Sequence, residues 1–169
     1  ELFQIPEFIE KMMARGLLGT KSGSGFYNRP AKSSGVSELQ VLDLNTLEYR
    51  PALKARLAAL DSVQNIEDTA ERLRAILKTD DRASAFLWKF LSQTFLYSAL
   101  RIPEIADRLV DVDRAMRWGY GWELGPFELW DAVGVKESAQ RMGAERCVIP
   151  ENVAGMVRAG RSHFYETPG

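Results

Sequence analysis

The residues whose types most suggest chemistry lie in the stretch 16–27, GLLGTKSGSGFY, where Lys21, Ser22 and Ser24 sit among Gly16, Gly19, Gly23 and Gly25. Glycines let backbone amides approach an anion, and a lysine can reach its charge, so a phosphate loop is the first reading to test. The spacing argues against it. A P-loop needs Gly-Lys-Ser/Thr in direct succession after a strand; here Thr20 separates Gly19 from Lys21 and a helical pattern comes first. A dinucleotide fingerprint needs a third glycine three residues after Gly25, where Asn28 stands. The stretch is read as a structural turn.

Four other groups carry possible chemistry. Asp111 and Asp113 form an Asp-x-Asp pair that could hold a divalent metal, but no further acidic ligand is close in sequence. Aspartates ahead of a helical run ordinarily cap it, accepting hydrogen bonds from free amides, and the pair is read that way. His163 is the single histidine and Cys147 the single cysteine. A two-histidine catalytic scheme, an internal disulfide and a multi-cysteine zinc site are therefore excluded. His163 reads as a surface or packing residue and Cys147, followed by Val148 and Ile149, as a small buried hydrophobe. Trp118, Tyr120, Trp122, Phe127 and Trp130 are read as core packing around a Gly-Pro helix start, with the wall of a ligand pocket as the alternative.

The elements that must position these residues are mostly helical. Residues 5–16, IPEFIEKMMARG, begin at a proline and stop at a glycine, as helices tend to. NIEDTAERLRAIL suggests a helix capped by Asn65, with Ile66, Ala70, Leu73 and Leu77 on one face. From about Arg82 to Leu100, a wide stripe of Phe86, Leu87, Phe90, Leu91, Phe95 and Leu96 predicts a helix central to the core. Helices are also expected over 125–134, 136–143 and 150–160. In VLDLNTLEYR, alternation around Asn45-Thr46 predicts a hairpin over 41–50.

The 169 residues carry 22 basic and 23 acidic side chains, 46% hydrophobic and 27% charged residues. That balance fits a globular domain and gives no electrostatic footprint for nucleic acid or an anionic membrane. No apolar run approaches the roughly 20 residues that span a bilayer, so the expected location is cytoplasmic.

Comparing the chain with itself reveals a duplication. Ile5, Pro6, Glu7, Met12 and Gly16 match Ile149, Pro150, Glu151, Met156 and Gly160 at one constant offset, and both segments lead to a Phe-Tyr pair, Phe26-Tyr27 and Phe164-Tyr165. Helical sequence from Asp81 to Val148 precedes the second copy, whereas only Glu1 to Gln4 precede the first. The expectation is a chain that holds the tail of one repeat (1–28), a connector with the hairpin and a helix (29–79), and a second repeat almost whole (80–169).

Two of these stretches resemble a known family. GLLGTKSGSGFYNR is similar to the closing signature of the C-terminal domain of 3-hydroxyacyl-CoA dehydrogenases. DVDRAMRWGYGWELGPFELWDAVG resembles that domain's internal signature: an aspartate pair, a Gly-aromatic-Gly and a Gly-Pro-Phe-Glu-Leu helix start, in this order. The resemblance implies a mainly α fold, a helical bundle like the C-terminal domain of 6-phosphogluconate dehydrogenase, with one small β-hairpin. It implies a parent fatty-acid β-oxidation protein that transfers hydride from a 3-hydroxyacyl-CoA to NAD. The histidine-glutamate pair and the NAD site of the family belong to a nucleotide-binding domain that this sequence lacks. The family's catalytic asparagine lies on the first helix of the first helical copy, and ungapped placement of the second copy puts Lys89 near that position.

On this reading no residue of the chain is catalytic, cofactor-binding or metal-binding, and Lys21, Gly125, Pro126 and Phe127 are candidates for a substrate cleft or an interface. The partners implied are the parent's first helical repeat and nucleotide-binding domain, with acyl-CoA as the parent's substrate and self-association possible. The role implied is packing as a pseudo-dimer against the first repeat and shaping the cleft. The alternative is a stand-alone helical dimerisation or interaction module. A third reading has the chain contacting CoA through Lys21 and nearby arginines.

Overall fold

The computed structural model describes residues 4–30, 38–53 and 55–165. The chain is mainly helical, with one small antiparallel sheet, and forms two compact units, Glu1–Ala55 and Arg56–Gly169. The hairpin strands lie in the first of these units, and the helices after them lie in the second. Most of the polar connector, residues 31–37, lies outside the described residues.

The first unit contains α1 (Glu7–Ala14), a 3-10 turn (Thr20–Ser22), and three strands, β1 (Tyr27–Asn28), β2 (Gln40–Leu42) and β3 (Tyr49–Pro51). The expected hairpin is present, with Val41 opposite Arg50, and Tyr27 opposite Val41 adds a third strand. The tight turn expected at Asn45-Thr46 is a longer one. The Asp43 carboxylate accepts from the amides of Asn45 (3.0 Å) and Thr46 (3.2 Å), and Leu47 takes a left-handed conformation (φ 57°) to close it. Met12, Leu42 and Leu47 form a small core with Phe8, Ile9, Leu17 and Tyr49 around it. A two-stranded hairpin alone is marginal in water, and α1 supplies the apolar cover it needs.

The second unit contains α2 (Ala58–Ser62), α3 (Thr69–Leu77), α4 (Arg82–Leu100), α5 (Leu109–Tyr120), α6 (Pro126–Val133), α7 (Val135–Ala144) and α8 (Glu151–Arg158). As expected, α4 is central, packing on α3 and α6. The cap of α3 is Asp68, which accepts from the Glu71 amide at 2.6 Å, and not Asn65. Aspartate directly before the first helical residue satisfies an otherwise free amide, and Asn65 lies too far upstream to do so. Asp81 caps α4 in the same way through the Ser84 amide (2.9 Å).

The core joins Trp88, Leu91, Phe95, Leu96 and Ala99 of α4 to Phe127, Leu129 and Trp130 of α6, with Val135, Met142 and Val153. Phe95 and Trp130 stack with ring centroids 5.0 Å apart. The predicted stripe on α4 is wider than the buried one. Phe86 and Phe90 are 72% and 48% exposed, Phe90 keeping a tilted contact with Trp122 at 6.3 Å, and Trp88 takes the inward place. The aromatic cluster divides likewise: Phe127 and Trp130 are core, Trp122 is partly buried, and Trp118 and Tyr120 on the last turn of α5 are exposed.

Candidate functional site: a buried aspartate at a helix start

The glycine-rich turn closes on itself. The amides of Gly19, Ser22, Gly23 and Gly25 donate to Ser24 O, Gly19 O, Thr20 O and Tyr27 O, and the Leu18 amide donates to Ser22 Oγ (3.1 Å). A side chain at Gly25 would meet Gly19 Cα at 2.7 Å. The amides that would cradle a phosphate are engaged within the turn, as the structural reading expects. Lys21 stands exposed on its rim.

The two aspartates of Asp-x-Asp have separate fates, and neither caps the helix it was expected to cap. Both lie inside α5, in its first turns. Asp111 faces outward and pairs with Arg108 (2.9 and 2.8 Å), whose hydrogen bonds hold its carboxyl below the usual range. Asp113 is 1% exposed and turned towards α6. Its Oδ1 accepts from the Phe127 amide at 2.8 Å, and its Oδ2 from the Glu128 amide at 3.2 Å and the Tyr165 hydroxyl at 2.6 Å. It therefore caps the next helix, across a loop, through two amides that have no intrahelical partner. The close approach requires glycine at 125: a Cβ there would lie 2.3 Å from Asp113 Cα. Pro126, with no N–H to satisfy, takes the first helical position. Glu128 folds back to accept from the Gly125 amide (2.7 Å) and pairs with Arg117 (3.0 Å).

The tail of the second repeat is seated on this junction. Asp131 accepts from the amides of both Phe164 (2.8 Å) and Tyr165 (3.0 Å). The Phe164 ring meets Phe127 edge-on at 5.0 Å and Trp130 at 5.3 Å. Burial pushes the Asp113 carboxyl above its ordinary range, against the opposing pull of the Tyr165 hydroxyl and the two amides. Burial, then the neighbouring Asp113, pushes the Tyr165 phenol up. The phenol remains a donor and the contact is structural.

The candidate residues are thus placed as follows. Gly125, Pro126 and Phe127 form the helix start beneath the tail and are buried. Lys21 belongs to the other unit. Lys89 is exposed on α4, and His163 is exposed beside Ser162 Oγ (2.8 Å). Cys147 is partly buried against the core. Asp131 was not singled out by the sequence; its only sequence signal is its place on α6, one turn beyond Phe127. Among the described residues no group of three or more His, Cys, Asp or Glu is arranged to hold a metal ion, and no helix is long and apolar enough to cross a membrane.

A Bacillus subtilis protein named as a probable 3-hydroxyacyl-CoA dehydrogenase is 40% identical over 165 residues, 98% of this chain. The chain is homologous to 3-hydroxyacyl-CoA dehydrogenases. It spans about a fifth (20%) of the length of that relative. A Rickettsia felis protein described as a fatty acid oxidation complex trifunctional enzyme is 31% identical over 121 residues, 72% of this chain and 15% of that protein. A Caenorhabditis elegans 3-hydroxyacyl-CoA dehydrogenase, also named as probable, is 37% identical over 70 residues, 41% of this chain and 23% of that protein. No family profile and no solved structure matches the chain. The described residues of this 3-hydroxyacyl-CoA dehydrogenase homologue do not fit NAD. Their sheet is three short antiparallel strands, whereas a dinucleotide site needs a parallel strand running into a Gly-x-Gly turn at a helix start.

Proposed function

We propose that the chain is the assembly portion of an NAD-dependent 3-hydroxyacyl-CoA dehydrogenase of fatty-acid β-oxidation, located in the cytoplasm. The parent protein oxidises a 3-hydroxyacyl-CoA to the 3-ketoacyl-CoA on residues outside this chain. The second unit packs as a pseudo-dimer partner against a first helical repeat and so helps shape the acyl-CoA cleft. The observation that carries this reading is the outward face of α4. Phe86, Phe90, Tyr97 and Leu100 are exposed on it, at the spacing of a helix–helix seam. A row of large apolar side chains along one central helix is unusual for a free surface and suits a second helical bundle. Lys89 stands beside that row, and a lysine, which cannot accept a hydrogen bond, does not reproduce the chemistry of an asparagine.

Two measurements test the proposal. The purified chain, given NAD and 3-hydroxybutyryl-CoA, is expected to produce no NADH above the rate without protein; turnover overturns the assembly-only role. In the parent protein, Phe86→Asp with Phe90→Asp is expected to loosen the two helical repeats, read as faster amide exchange along α4. Unchanged exchange there removes the seam. The same row favours the second reading, a self-pairing module: sedimentation of the isolated chain as a dimer that these two substitutions dissociate would support it.

A further inference from the structure

The duplicated tail is seated in one copy and not in the other. In the second copy, Ile149, Val157, Phe164 and Tyr165 pack against the core of the second unit. Their counterparts by the repeat are Ile5, Met13, Phe26 and Tyr27. All four are exposed, at 60%, 57%, 45% and 62%. Elsewhere on the same helix the two copies agree: Met12 is buried against Leu42 and Leu47 with Ile9 packed beside it, as their counterparts Met156 and Val153 are packed in the second unit. So the first copy covers Ile9 and Met12 against the hairpin and leaves open Ile5 and Met13, at two of the positions that the second copy packs.

We propose that Ile5, Met13, Phe26 and Tyr27 form a plug for a receptor built like the α5–α6 junction, supplied by another helical bundle of the same kind. The inference rests on the assembly reading above and specifies its contact. The chemistry of the receptor is given by the seated copy. One carboxylate accepts from both amides of the Phe-Tyr pair, a buried second carboxylate accepts from the tyrosine hydroxyl, and an aromatic wall at a Gly-Pro helix start takes the phenylalanine ring. The receptor of the second unit is filled by its own Phe164 and Tyr165, so the open plug requires a different one. The hairpin leaves this possible, because β2 pairs with Tyr27 and Asn28 through backbone groups while the Tyr27 ring stays outside and the Phe26 ring, edge-on to Phe8 at 6.4 Å, keeps 45% of the residue exposed.

A graft in the whole chain tests the chemistry. Residues 160–165, GRSHFY, are replaced by the first copy's GLLGTKSGSGFY (16–27). The melting temperature is compared with that of the parent chain and of the variant Phe164→Ala with Tyr165→Ala. The graft is expected to melt close to the parent, and a further change of its tyrosine to phenylalanine is expected to lower the melting temperature. A graft that melts with the double-alanine variant, or one indifferent to loss of the hydroxyl, overturns the proposal. A second measurement does not depend on the graft folding. A photo-crosslinking residue at position 27 of the parent protein is expected to attach at a Gly-Pro helix start, and attachment to any other element overturns the plug. Either failure leaves the α4 seam to stand or fall on its own exchange measurement.

Discussion

Removal of the Asp113 carboxylate by Asp113→Ala is the sharpest test of how the second unit is held together. Three donors converge on it, the amides of Phe127 and Glu128 and the Tyr165 hydroxyl, at 2.8, 3.2 and 2.6 Å. Alanine leaves all three without their acceptor. A buried donor left unpaired costs about 1–3 kcal/mol. The Phe127 amide lies deepest and carries the upper part of that range; water can reach the other two, at about 1 kcal/mol each. Against this stands relief from desolvating a carboxyl whose burial raises its pKa. The expected net loss is about 3 kcal/mol, or roughly 10 °C in melting temperature for a unit of this size. All four tryptophans, Trp88, Trp118, Trp122 and Trp130, lie in the second unit, so urea unfolding followed by tryptophan fluorescence reports it alone. Asp111→Ala, two residues away, is the control. It removes only a solvent-screened surface pair with Arg108, so little change in stability is expected. If the two variants unfold within about 1 kcal/mol of each other, the account of Asp113 as the clamp between α5, α6 and the tail is refuted.

Gly125→Ala is expected to destabilise the second unit by about 1–3 kcal/mol or more, since the new Cβ would sit 2.3 Å from Asp113 Cα; urea unfolding checks it. Asp131→Ala frees the amides of Phe164 and Tyr165, so deuterium uptake at those two residues is expected to rise while that of α4 stays unchanged. The fourth prediction is a pH dependence. Asp113 has a raised pKa in the folded chain, so native protein holds a proton there that the unfolded chain has released. Its favourable contribution is complete below the ordinary aspartate pKa of about 3.9 and is lost as pH rises through the raised value. Asp43 and Asp81, lowered by backbone amides, act in the opposite sense: present above about 3.9, lost as pH falls through their folded values. Relative to Asp113→Asn, wild-type stability should therefore decline from about pH 4 towards neutrality; a difference that is flat or grows with pH contradicts the burial of this carboxyl.

Proline and glycine punctuation made the starts and stops of α6 and α8 legible without coordinates, because φ restriction and a missing N–H act within a few residues. The helix starting at Gly125-Pro126 was likewise readable, and the match of the two motifs to 3-hydroxyacyl-CoA dehydrogenases agrees with the 40% identity found across the chain. The wide apolar stripe of α4 announced a central helix.

Tertiary structure alone decided which donors Asp113 serves. An aspartate near a helical run looks like that run's own cap, but its carboxylate reaches the start of the following helix across a loop, and nothing in local spacing records such a contact. Periodicity gave α4 an apolar face without saying how much of it a partner covers, so the outward turn of Phe86 and Phe90 emerged only when α3 and α6 took their places on the helix. The duplicated tails make the same distinction: Phe26-Tyr27 and Phe164-Tyr165 are identical pairs in sequence, and only Phe164-Tyr165 is seated, on Asp113 and Asp131 in the second unit.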